Sequence, residues 1–342
     1  MTVTQVRTTD GTIALANLDA QIESLRLQAG RQRLTGRWLV ELVDRLILRG
    51  EILGRIADYE RAAALAEEFG RDVSADGAAF LARARTRALL HRFEEALTDL
   101  DAAERLGMAR AAVEAERAAI FQAVGRYNAA MALRQAAIER RADFTALWAM
   151  AALYAERGEV DAAEHLFDES RRRFRGVSPF GLAQLDFQRG HMWQQDGDLD
   201  RAREWLMAAW VRLPVFARAE GHLAEVESAL GEREAAIARL TRLAGASDDP
   251  DYATQLAGIL RRDGRLEEAG VWRARALARY DELVARHPAA FADHSAEFWL
   301  TVGGDPQRAL GLARRNYALR QTPRARALLS RAILACERGP AA

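Results

Sequence analysis

Lysine is missing from this sequence, so all 49 basic side chains among its 342 residues are arginines. A phosphate-binding loop of the GxxxxGK[ST] type therefore lacks its lysine, and a pyridoxal phosphate enzyme lacks the amine for its Schiff base. Biased codon usage is the simplest cause of this composition. The chemical exclusion holds whatever the cause.

Cysteine is nearly absent as well, since Cys336 is the only one. An intrachain disulfide and a structural zinc site of the CxxC type are both excluded, which fits a reducing compartment. The N-terminus has no basic stretch followed by an unbroken apolar core, and no segment offers about 18 consecutive apolar residues. We therefore expect a soluble, cytoplasmic protein with no membrane contact.

An excess of one charge sign is missing too, because 49 acidic residues balance the 49 arginines and the formal net charge is zero. No global field then draws the chain to nucleic acid. The basic run RRRFR at 171–175 ends a predicted helix, where cations favour the negative end of the helix dipole and face solvent. A nucleic-acid partner is disfavoured on these grounds.

The stretch from Phe187 to Pro214 reads as two helices joined by one tight turn. Gly190 and Trp193 continue the helical spacing of Phe187, the DGD at 196–198 interrupts it, and a second apolar pattern then runs up to Pro214. Proline cannot continue that second helix. The rest of the chain repeats this unit with variations.

A small residue recurs near the start of each predicted second helix, at intervals of 34, 34, 33, 39, 34, 33 and 40 residues. The eight positions are Ala62, Ala96, Ala130, Ala163, Ala202, Ala236, Ala269 and Ala309. Five of the seven intervals lie within one residue of 34, which chance rarely produces. The two long intervals predict insertions at 174–182 and in an extended helix at 267–287.

Two further positions repeat with the same period. The predicted turn holds Ala57, His91, Gly125, Gly158, Gly197, Gly231, Gly264 and Gly304. The first predicted helix carries a small packing residue at Gly50, Ala84, Ala118, Ala151, Gly190, Ala224 and Ala257, while Glu297 breaks this pattern in the eighth unit. Glycine tolerates the left-handed backbone at a helix C-terminus, and small side chains let paired helices approach closely. The first two units, which lack a turn glycine, are therefore degenerate.

This pattern resembles the tetratricopeptide repeat (TPR) family, whose unit is a helix–turn–helix of about 34 residues. The resemblance covers roughly residues 36–322 and implies an all-α, right-handed α-solenoid of about eight TPR-like helix pairs. Residues 1–35 are expected to form a polar segment, frayed over 1–11, and a capping helix with an apolar stripe from Leu15 to Leu25. Thr35 is a candidate cap for the next helix. Residues 323–342 are expected to form a C-terminal capping helix, begun by Pro323, and a tail.

In the TPR family the first helix of each pair lines a concave groove, and this implies a set of groove-facing positions here. They are Arg85, Gln122, Trp148, Gln184, Phe187, His191, Gln194, Arg218, Glu225, Asp251, Arg261, Arg262, His294 and Phe298. Aromatic and arginine side chains among neutral hydrogen-bonding neighbours are typical of interface hot spots. The stretch from Trp148 to Gln194 is the predicted centre, although the same aromatics equally suit packing between repeats.

We therefore predict a non-catalytic scaffold that binds a peptide segment or protein surface in this groove, without a cofactor. Capture of a chaperone's C-terminal carboxylate is disfavoured, because the family's clamp uses lysine and Ala115, Ala119 and Ala152 occupy groove positions here. The six histidines form no HExxH pair, and no serine or cysteine stands on a recognisable nucleophile elbow. An enzyme accessory or cofactor-carrying protein and a nucleic-acid-binding solenoid remain the alternatives.

Overall fold

A computed structural model describes residues 6–31, 36–71 and 76–338. Over these ranges the chain is all-α, as predicted, and forms eighteen α-helices. They are α1 Gly11–Arg31, α2 Gly36–Leu53, α3 Ile56–Phe69, α4 Gly77–Leu89, α5 Phe93–Arg105, α6 Arg110–Ala123, α7 Tyr127–Arg140, α8 Phe144–Glu156, α9 Val160–Arg173, α10 Pro179–Asp196, α11 Leu199–Arg212, α12 Ala217–Ala229, α13 Arg233–Ala246, α14 Pro250–Arg262, α15 Leu266–Arg286, α16 Ala292–Phe298, α17 Pro306–Leu319 and α18 Pro323–Glu337. None of these helices combines the length and apolarity needed to cross a membrane.

The helices pair in chain order, from α2 with α3 to α16 with α17, and α1 and α18 flank the array. Even-numbered helices also pack against the next even-numbered helix along most of the array, so they form an inner layer and the odd-numbered helices an outer one. Each pair buries its apolar face against its neighbours, as expected of a solenoid. At the end, Leu328 and Ala332 of α18 cover the core of the last repeats.

The periodic small residues have the roles that the spacing predicts. All eight second-helix alanines are buried. The six turn glycines have positive φ angles between 74° and 92°, and His91 has a φ of 57°, the sole positive value for a non-glycine residue in the described part of the chain. A Cβ on Gly190 would lie 2.8 Å from Leu206 Cγ and 2.9 Å from its backbone nitrogen, so only glycine lets these helices meet.

The first repeat departs from the predicted register. Its turn residue is Gly54, with a φ of 61°, whereas Ala57 lies inside α3. The prediction of a turn at Ala57 is therefore wrong. It followed from the 34-residue spacing between Ala62 and Ala96, and both alanines are indeed buried. The turn itself lies three residues earlier, at Gly54. Just before it, Gly50 of α2 packs against the ring of Tyr59 of α3.

The eighth repeat keeps the small packing residue but shifts it by one position. Ala296, and not Glu297, is fully buried, and it stands eight residues before Gly304 instead of the seven that separate Gly190 from Gly197. A π-helical turn at Trp299–Gly303 absorbs the extra residue. The break in the small-residue pattern at Glu297 therefore corresponds to one residue inserted between Ala296 and Gly304.

The N-terminal segment is ordered where the sequence predicted fraying. The Thr9 N–H donates to the Val177 carbonyl at 2.7 Å, and Arg212 Nη1 donates to the Val6 carbonyl at 3.0 Å. The prediction of a frayed segment is thus wrong for residues 6–10, because partners far along the chain satisfy their backbone groups. Residues 1–5 and the predicted cap Thr35 lie outside the described residues.

The array coils back so that early repeats contact late ones. α12 packs against α2, and α1 packs against α10. The Asp248 carboxylate accepts hydrogen bonds from the backbone N–H groups of Ile56 and Ala57 at 2.6 and 3.0 Å, and so caps α3 from the loop between α13 and α14. Further polar contacts of this seam join Gly54 to Ser247, Glu60 to His287, Val124 to Gln321, and Glu51 to both Gln184 and Arg218. The seam therefore joins inner-layer helices of the early repeats to later parts of the chain.

Candidate functional site

The predicted groove positions lie on inner-layer helices, but several are used within the protein. Trp148 is half-buried, and its indole Nε1–H donates to Gln188 at 2.8 Å. Gln184 donates to Glu51 across the seam at 2.9 Å. In the early repeats, Arg85 pairs with Asp44 and Glu116, and Gln122 bonds to Glu156 and Arg134. These side chains hold the inner layer together.

Two predicted aromatic anchors belong to the core instead of the groove. Phe187 is 2% exposed, meets Phe216 edge-on at 5.4 Å, and lies beneath the guanidinium of Arg218 at 4.7 Å. Phe298 is fully buried between Tyr280 and Trp299. The prediction that they face a partner is wrong, because Phe187 packs against Phe216 at the start of the next repeat and Phe298 packs against Tyr280 of the preceding one.

A polar cluster lies beside Phe187 on α10 and α12. The rings of His191 and His222 are 4.5 Å apart, and the Gln194 amide joins His222 to Glu225 with contacts of 2.9 Å on each side. Burial, the nearby His222 and the charge of Arg218 hold the pKa of His191 well below its usual range. His191 is therefore neutral at pH 7.

A second cluster lies further along the inner layer. The charge of Asp293, helped by Asp251 at 3.8 Å, raises the pKa of His294 to about 9. Burial alone would raise the pKa of Asp293, but the charges of His294 and Arg320 reverse this effect and bring it to about 2. His294 is therefore a cation at pH 7, ion-paired with Asp251 and stabilised by the nearby charge of Asp293.

Next to these clusters is a cavity of about 520 Å³ between α12, α14 and the segment from α16 through the π-helical turn. Most of its exposed lining area is apolar, but Ser228, Thr254, Gln255 and Thr301 also line it, together with charged side chains of both signs. The lining residues include Ala229, Gly258, Ile259, Leu300 and Val302, with Glu225, Asp251, Arg261, Arg262 and Glu297. This volume falls within the range of about 300–1,000 Å³ that is usual for ligand sites.

The two arginines of α14 differ in how they are held. Arg261 donates to the Thr301 carbonyl at 3.1 Å, and so fixes the π-helical turn to α14. Arg262 is exposed and makes no ion pair, hydrogen bond or ring contact with any described residue. Arg262 is thus available to a ligand at the mouth of the cavity.

The structure brings together five of the predicted positions at this cavity or its edge, namely Glu225, Asp251, Arg261, Arg262 and, through Asp251, His294. Gly258, Leu300 and Val302 also line the cavity but were not among the positions predicted from the sequence. Gly258 carried a readable signal, since the same helix position holds His191 and Glu225 in the two preceding repeats. Leu300 and Val302 gave none, because only the π-helical turn directs them inward.

No group of three His, Cys, Asp or Glu side chains in the described ranges is arranged to hold a metal ion. The cavity instead combines apolar contact area with a few charged groups at its mouth. Such a site binds by shape, apolar burial and charge complementarity.

No protein-family model and no curated protein matches this sequence. Among solved structures, human IFIT1 in a dimer with m7Gppp-AAAA matches with a TM-score of 0.58 and 16% identity, covering 94% of this chain and 77% of that one. The APC/C hetero-tetramer Cut9–Hcn1 matches with a TM-score of 0.50 and 14% identity, covering 85% of this chain. This chain spans about half (55%) of the length of that protein. The likeness establishes the fold.

Proposed function

We propose, from the premise that this chain has the TPR solenoid fold, that it is a non-catalytic scaffold that binds an extended segment of another protein. The cavity between α12, α14 and α16 carries this proposal. It is built by the inner helices of three consecutive repeats, and it opens where Ala229, Arg261 and Arg262 are exposed.

The shape of the inner layer favours an extended segment over a folded surface. The seam packs α2 against α12 and so narrows the approach to the inner layer. The cavity of about 520 Å³ is large enough for a few residues but not for a helix or a domain face. A chain in extended form presents single side chains and backbone groups, which is what such a cleft receives.

A single-stranded RNA is the second candidate, because IFIT1, which has a similar fold, was solved with m7Gppp-AAAA. Phosphate binding requires an inner surface rich in cations. Here Glu225, Asp251 and Glu297 lie at the same cavity as the two arginines. These carboxylates would repel a phosphate backbone, so we favour a protein partner.

The test is selection of random displayed peptides on the purified full chain. We expect enriched peptides to bind Arg262→Glu at least about tenfold more weakly, because the reversed charge faces the mouth of the cavity. Arg314→Glu is the matched control, since Arg314 is exposed on the outer helix α17, and it should bind like the wild type. Failure to enrich any peptide, or tight binding of single-stranded RNA that weakens steeply with salt, would refute the proposal.

A further inference from the structure

We propose that the cavity is an aromatic slot, in which a Trp, Tyr or Phe side chain of the bound segment lies on Gly258 beneath the guanidinium of Arg262. This inference rests on the proposed function and adds the chemical class of the anchor residue. Its evidence is the glycine itself, the walls around it and the unpaired arginine above it.

Gly258 is not required by helix packing. A Cβ placed there would meet only Arg262 Nη1 at 3.6 Å and Val302 Cγ1 at 3.7 Å, which are ordinary contacts, whereas a Cβ on Gly190 would collide with Leu206. Glycine inside a helix costs about 0.5–1 kcal/mol relative to alanine. Gly245, Gly270 and Gly311 are equally open helix positions, so Gly258 is distinguished from them by lining a cavity.

The walls of the slot are apolar and are held in place by hydrogen bonds. Leu300 and Val302 belong to the π-helical turn, which directs them toward α14. Arg273 from the outer helix α15 donates to the carbonyls of Val302 and Gly303 at 2.7 and 2.9 Å. These hydrogen bonds come from the outer layer. They hold the turn in its shape before a ligand binds, and Arg273 itself does not contact the ligand.

Arg262 supplies the upper face of the slot. The Nη1 atom of its guanidinium lies over the floor, 3.6 Å from the Cβ position of Gly258, so a ring can enter only when this side chain swings outward. The guanidinium has no partner among the described residues that would oppose this movement. Elsewhere the chain repeatedly stacks arginines on aromatic rings, as with Arg189 over Trp205 at 3.7 Å and Arg308 over Trp299 at 4.2 Å. A ring that takes the place of the guanidinium on Gly258, with Arg262 moved outward to cover it, would gain the same cation–π contact together with apolar burial.

The test uses saturation-transfer NMR of the full chain with GMP and the N-acetyl amides of tryptophan, tyrosine, leucine and aspartate as separate probes. We expect wild type to bind the tryptophan amide at least about fivefold more tightly than the leucine amide. Arg262→Met should remove most of that preference while keeping the apolar stem of the side chain. Gly258→Leu should abolish binding of both, and Gly270→Leu, at an open position on the outer helix α15, should not. Gly258→Ala, which fits without a collision, provides a second filled variant whose folding is secure.

Each outcome decides between the two proposals. Equal binding of the leucine and tryptophan amides, or no effect of Arg262→Met and Gly258→Leu, would overturn the aromatic slot while selected peptides still support the scaffold. Aromatic amides that bind at Gly258 without any peptide being selected would refute the scaffold and leave a small-molecule slot. Tighter binding of GMP than of the tryptophan amide would assign the slot to a nucleobase and overturn the peptide anchor.

Discussion

The substitution Asp248→Ala should open the seam between the two ends of the solenoid. Asp248 caps the first two N–H groups of α3 and also pairs with Arg279 at 3.1 Å. Loss of a helix cap costs about 1 kcal/mol, and a partly exposed ion pair adds at most about 1 kcal/mol. We therefore expect a loss of about 1–2 kcal/mol in the free energy of unfolding.

The assay must separate opening of the seam from general destabilisation. Hydrogen exchange should become faster at the amides of Ile56 and Ala57, and small-angle scattering should show a larger radius of gyration. Asp305→Ala is the matched control, because Asp305 caps its own helix α17 through the Arg308 N–H at 2.9 Å. It should cost a similar free energy without changing the seam.

An Asp248→Ala variant whose Ile56 and Ala57 amides remain as protected as in the wild type would refute the reasoning. The same conclusion would follow if Asp305→Ala expanded the molecule equally. The first result would mean that the other seam contacts, such as Ser247 with Gly54 and α2 with α12, hold it closed without Asp248. The second would mean that the expansion reflects general destabilisation.

Three further predictions concern stability and can be measured by urea unfolding. Gly190→Ala should destabilise the chain by about 1–3 kcal/mol, because its Cβ would overlap Leu206. Gly270→Ala, at an open helix position, should stabilise it by about 0.5–1 kcal/mol. Equal effects of the two substitutions would contradict the packing argument. Asp186→Asn should cost about 3 kcal/mol or more, because it removes the buried carboxylate that pairs with Arg171 and Arg212, and a near-neutral effect would contradict this. The folded-state pKa of His294, raised to about 9, lies above its ordinary value of 6.5, so its stabilising contribution is complete below about pH 6.5 and is lost as the pH rises through 9. In His294→Gln the urea midpoint of unfolding should depend less on pH between 6.5 and 9. An unchanged pH profile would count against stabilisation of the His294 cation by Asp293 and Asp251.

The predicted groove shows which site positions the TPR resemblance could predict and which it could not. Arg261, Arg262 and Glu225 lie where the resemblance implied, at the inner layer. Phe187 and Phe298 share that helix face in the sequence pattern but are buried. A helical period specifies an angle around one helix, and burial depends also on how neighbouring helices are tilted and spaced.

The sequence by itself determined the repeat and hence the fold. Turn glycines, small packing residues and a period near 34 act within about 40 residues, so local backbone preference and the packing of adjacent helices are sufficient to specify them. The break in the small-residue pattern at Glu297 was also visible in the sequence, although its cause, a π-helical turn, was not.

Only the tertiary structure decided the seam and the cavity. Asp248 meets Ile56 because small rotations between repeats accumulate along the array, and no sequence period encodes their sum. The cavity depends in the same way on Leu300 and Val302, which one inserted residue turns inward against Gly258. Contacts between distant repeats depend on that accumulated geometry, whereas contacts within a repeat depend on the residues that the period itself displays.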